Sequence, residues 1–137
     1  MLKDFIVIKL ILSFIIPYIT LYAIYIQLNG EISPGGGFQA GVIFATGIIG
    51  YELVFGKEHF LRFISIKALL ICSVMGVFLY AGTGFISLIF GDNYLNYNSL
   101  QSDKIAGQHL GIFLIEIGVG LTVSSVMCLI YSLLRED

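Results

Sequence analysis

Three side chains in this sequence can exchange protons at positions where such groups are costly: Glu116, Glu52 and His109. Glu116 interrupts the apolar run Gly111-Ile-Phe-Leu-Ile-Glu116-Ile-Gly-Val-Gly120. An ionised carboxylate well inside a membrane helix costs about 2.5–3.5 kcal/mol on insertion scales, so this residue should face protein or water. Two readings follow: a protonated carboxyl hydrogen-bonded to a neighbouring helix, or a carboxylate bordering an ion or proton path. His109 precedes it by seven residues, on the same helix face and about 10 Å along the axis. It is the candidate partner of Glu116 toward the outer surface. Glu52 lies near the C-terminal end of another apolar stretch, where a negative charge opposes the helix dipole. Pairing with Lys57, Arg62 or Lys67 explains it on structural grounds; lining a hydrated half-channel explains it on functional ones.

The most specific segment is Pro34-Gly35-Gly36-Gly37-Phe38-Gln39-Ala40-Gly41. Proline fixes one backbone angle, and the glycines that follow admit conformations closed to other residues. Its chief expected role is a rigid turn that lets helices pack closely. Its backbone amides also suit a nest for an anion or a carboxylate at a helix start. It is not a phosphate loop, because no Gly-Lys-Ser/Thr ending follows.

No Ser/His/Asp arrangement, metal-ligand cluster or nucleotide fingerprint is present, so no enzymatic activity, cofactor or bound metal is expected. Cys72 and Cys128 fall in apolar runs without metal-ligand spacing and read as small buried residues. A net charge of -2 offers no basic patch for nucleic acid.

The elements that must position these groups are membrane helices. Hydrophobic residues make up 58% of the 137 residues and charged residues 12%, and the mean hydropathy is +0.96. A soluble chain of this size has too little interior to hide so much apolar surface. The expected fold is all-α: one integral membrane domain with four transmembrane helices, at about residues 5–28, 38–56, 66–90 and 110–134. The first span is too long for a signal-peptide core, and Gln27-Leu28-Asn29-Gly30 is a poor cleavage site, so it reads as a retained helix. Pro17 should bend it, with Ser13 or a neighbouring helix satisfying the freed carbonyl.

Four spans put the N-terminus, the 57–67 loop and the C-terminus on one side. That side holds Lys3, Lys9, Lys57, Arg62, Lys67 and Arg135; the other holds only Lys104. The bias predicts cytoplasmic termini in a cell inner membrane. The two outer loops are then residues 29–37 and the polar stretch Gly91–Gln108, expected to be surface-exposed and able to hold a short surface helix. Small residues recur at helix-packing intervals: Gly37, Gly41 and Ala45, with Glu52 on the same face; Ala68, Cys72 and Gly76; and Gly107, Gly111, Gly118 and Ser125. Three small faces on four helices exceed what the chain can use internally, which favours protein neighbours in the membrane.

The segment Pro34–Gly41, running into a hydrophobic helix, resembles the MnhB/MrpB family, the small B-type subunits of the multisubunit Mrp-type sodium/proton antiporters. The last span, Gly107-Gln-His-Leu-Gly-Ile-Phe-Leu-Ile-Glu-Ile-Gly-Val-Gly-Leu-Thr-Val123, is similar to that family's last helix. Many members carry Asp-Leu-Gly where this chain has His109-Leu-Gly111. The resemblance implies a hetero-oligomeric complex exchanging cytoplasmic Na+ or another monovalent cation for external H+, in which this chain is a scaffold or lines the ion path. It implies no catalytic residue. Two alternatives stand beside it: a subunit of the antiporter module of a membrane-bound hydrogenase or related respiratory complex, and a self-sufficient homo-oligomeric transporter. The absence of broken helices in paired halves argues against the last.

Overall fold

The computed structural model describes residues 5–32 and 34–135. Lys3, counted in the charge bias, and Ser33, in the first outer loop, lie outside the described residues. The described chain is all-α, with helices α1 (Ile6–Leu28), α2 (Gly37–Phe55), α3 (Lys57–Phe63), α4 (Ile66–Ile89) and α5 (Lys104–Leu134). All but the seven-residue α3 are long and apolar enough to cross a membrane. A short 3-10 helix, Tyr97–Leu100, lies in the α4–α5 connection.

Helix α5 is the centre of the bundle. It packs against α2 on one side and α4 on the other, while α1 packs on α2 and barely touches α5. At the end near the chain termini, Phe60 of α3 fills the space between Ala45 of α2, Leu69 of α4 and Cys128 and Leu129 of α5. These helices bring backbones together rather than large side chains. A Cβ at Gly41 would lie 2.8 Å from the Gly120 carbonyl oxygen. A Cβ at Gly76 would lie 2.6 Å from the Gly118 carbonyl oxygen. Lipid offers no hydrophobic reward for burying large side chains, so such close approaches and the dispersion contacts they allow hold membrane helices together.

Four expectations need correction. Pro17 lies inside the single helix α1, and the Ser13 hydroxyl, expected to serve the carbonyl that Pro17 frees, donates to the Lys9 carbonyl at 2.7 Å. It does not serve the carbonyl of residue 13, which the missing proline N–H frees. Helix α5 starts at Lys104, six residues before the expected Leu110, because Asp103 caps it by accepting from the Ile105 N–H at 3.2 Å. The Gly91–Gln108 connection is largely exposed and holds the short Tyr97–Leu100 helix, as expected, but it is also packed down at one point: Gly107 is buried beneath the Tyr97 carbonyl, and the Tyr97 ring sits on Gly111. Burial pushes the Tyr97 phenol above its ordinary range, so it stays protonated at neutral pH. Finally, the small residues of α5 are spent inside the chain, on α2, on α4 and on Tyr97. The surface left for neighbours is built of large apolar side chains instead.

Candidate functional site

The α1–α2 turn and α5 make one site. Gly35 takes φ of +132°, open to glycine and strained for other residues, and a Cβ there would also crowd the Gln39 side chain. Gly36 is extended and leads directly into α2, where its carbonyl accepts from the Ala40 N–H at 3.0 Å. Gly37, the first residue of α2, lies flat against the Glu116 backbone carbonyl, with no room for a Cβ. The glycines therefore bring the start of α2 onto the turn of α5 that carries Glu116.

The Glu116 side chain then has one place to go. Its carboxyl packs against the backbone of the turn, where a Cβ on Gly30 would lie 2.7 Å from Oε1 and one on Gly36 3.3 Å from it. Glu116 is half-buried. The glycine motif and the intramembrane carboxylate, far apart in sequence, are in contact.

His109 lies two turns from Glu116 on α5, as the spacing implied, but the group it bonds is Glu31. His109 Nδ1 and Glu31 Oε2 are 2.5 Å apart. Their side chains are 60% and 31% exposed, so water reaches the pair. Glu31 follows Gly30, so the turn that covers Glu116 also carries the partner of His109.

Glu52 occupies the opposite end, about 22 Å along α2 from Gly37. It is 2% exposed. Arg135 Nη1 donates to Glu52 Oε1 at 2.6 Å. The expected partners were Lys57, Arg62 and Lys67; the cation that meets it comes instead from the end of α5. Antiparallel packing of α2 and α5 brings residue 135 beside residue 52, which spacing along the sequence cannot reveal.

Between these ends, α1, α2 and α5 border a cleft of about 220 Å³ lined by Ala23, Gln27, Gly41, Phe44, Gly120 and Ser124 among others. Gln27 Oε1 touches Gly120. Gln27 Nε2 is buried and makes no hydrogen bond among the described residues. Sequence reasoning missed Gln27, Glu31 and Arg135 as site residues. Each lies at or just past a helix end, where a polar residue ordinarily meets water and attracts no notice. Among the described residues no group of three or more His, Cys, Asp or Glu side chains could hold a metal ion.

Residues 7–129 match the family described as "Domain related to MnhB subunit of Na+/H+ antiporter". The chain belongs to the MnhB family. Relatives from Staphylococcus aureus strains Newman and COL, each named "Putative antiporter subunit mnhB2", are 28% identical over 130 residues, covering 93% of this chain and 92% of the relative. Family membership and four membrane-crossing helices together make this a multi-pass membrane protein. Within this MnhB chain the glycine motif supplies the close α2–α5 contact and seats the Glu116 carboxyl.

Proposed function

We propose that this chain is a small subunit of a multisubunit monovalent cation/proton antiporter, exchanging cytoplasmic Na+ for external H+, and that Glu116 lines its ion path. The chain lies in a plasma membrane with both termini cytoplasmic, other subunits covering part of its apolar surface and lipid the rest. The observation that carries this reading is the setting of Glu116. A carboxyl within an apolar helix is held against bare backbone, and no hydrogen bond from a described side chain reaches it. A purely structural carboxyl would have a donor or a cation beside it, as Glu52 has. A carboxylate so placed supplies an oxygen ligand for a monovalent cation or a station for a proton in transit. The tight α2–α5 crossing supports a scaffold role for the same chain.

Glu116→Gln separates the two readings of this residue. The amide keeps size and hydrogen-bonding capacity and removes the titratable group. Cation-dependent proton exchange in vesicles should shift its apparent cation affinity or pH profile at equal complex abundance. Wild-type kinetics in this variant would reduce Glu116 to a packing residue and leave the chain a scaffold.

A further inference from the structure

The bond between Glu31 and His109 has no part in the reading above. Glu31 belongs to the short turn after α1, closed by the Ile32 N–H donating to the Asn29 carbonyl at 3.0 Å. Gly30 of the same turn lies directly on the Glu116 carboxyl. His109 reaches this turn from α5, across 78 residues of sequence. Any movement of the turn away from α5 therefore breaks the His109–Glu31 bond and uncovers Glu116 together.

We propose that Glu31 and His109 are positioning residues for Glu116, whose bond holds the Gly30 turn over its carboxyl and tightens when the imidazole is protonated. The proposal rests on the reading of Glu116 as part of the ion path. Two carboxylates flank Gly30, Glu31 on the turn and Glu116 on α5, and when both are ionised they push the turn off the helix. A neutral imidazole answers Glu31 with one ordinary hydrogen bond; an imidazolium answers it with a charge-assisted one and offsets the repulsion. The pair is water-accessible, so bulk pH acts on it directly. Asp92 and Asp103 of the α4–α5 connection and Lys104 at the start of α5 are the other charges at this end of the bundle, and α2 contributes none before Glu52. Asp92 accepts from Asn96 and Asp103 caps α5, so both are already engaged. Of the phenols at this end, that of Tyr97 is pushed further above neutral pH by burial. Histidine is the side chain type whose charge ordinarily changes between about pH 5 and 8.

Ile32, on the same turn, and Ile105, in the first turn of α5, are 89% and 68% exposed and carry spin labels without disturbing the packing. The distance between labels on Ile32→Cys and Ile105→Cys, in assembled complex whose Cys72 and Cys128 are replaced by Ala, is measured across about pH 5.5–8. The share of molecules with the turn separated from α5 should fall roughly two- to fivefold from the alkaline to the acid end of that range, as expected for an exposed ion pair. It should be flat in His109→Gln and in Glu31→Gln. A flat share in the parent, or a pH dependence surviving either substitution, overturns the proposal. The distance does not depend on transport, so wild-type exchange in Glu116→Gln would sink the ion-path reading without touching this result.

Discussion

Glu52 and Glu116 are both carboxylates inside membrane helices, and the bundle treats them differently. Glu52 is sealed and met by one guanidinium, whereas Glu116 is half-buried and met by backbone. Removing one partner of a buried pair leaves the other's desolvation uncompensated, at a typical cost of about 3–5 kcal/mol. Arg135 keeps contact with water, so a value nearer about 1–3 kcal/mol is expected here. Arg135→Gln should therefore lower the melting temperature of the detergent-solubilised complex by several degrees, and adding Glu52→Gln should restore most of it. If the single and double variants melt together, the pair is not what stabilises this end. Glu116→Gln, by contrast, should leave the melting temperature nearly unchanged while altering exchange.

Between helices, the crossings turn on four glycines. Gly37 and Gly41 let α2 onto α5, and Gly76 and Gly118 let α4 onto α5. Side chains of any size at these points drive the helices apart, losing dispersion contacts along the whole crossing. Gly41→Leu and Gly76→Leu should sharply reduce recovery of the complex on native gels. Gly82→Leu, on α4 with open space beyond its Cα, should not. Equal recovery of all three would mean that the crossings tolerate separation. The α4–α5 connection belongs in the same comparison. Tyr97→Ala empties the notch above Gly111 and should destabilise the complex by about 1–2 kcal/mol, less than a fully buried aromatic because the ring is partly exposed. A thermal melt of that variant indistinguishable from the parent would return the connection to the status of a surface loop.

For the whole molecule, the two candidate sites lie at opposite ends of one α2–α5 seam. The proposed topology, argued from the positive-inside bias, puts the Glu52 end in the cytoplasm and the His109–Glu31 end outside. A cysteine on α3, between α2 and α4, should react with an impermeant reagent only in inside-out vesicles, and one at Ile32 only in right-side-out vesicles. The reverse pattern would overturn the proposed topology. Helix α1 leaves most of its surface uncovered, with Phe14, Tyr18 and Leu21 among its exposed side chains. Within the membrane that surface is met by lipid or by other subunits.

Composition and apolar run length were enough to establish the class of this protein. A bilayer imposes a length and a polarity on each span, and both can be counted along the chain. The glycine motif and the misplaced carboxylates were legible for the same reason, as residue types that a lone helix in lipid would not carry. Pairing was not legible. The sequence offered Lys57, Arg62 and Lys67 to Glu52 and grouped four small residues of α5 on one face. The structure joined Glu52 to Arg135 and divided the α5 glycines among α2, α4 and Tyr97. Which side chains meet depends on how far antiparallel helices slide and rotate against each other, and that register is set by where glycines let the backbones touch. Glu31 therefore became His109's partner, and Gly30 the cover of Glu116, only once the helices were in place.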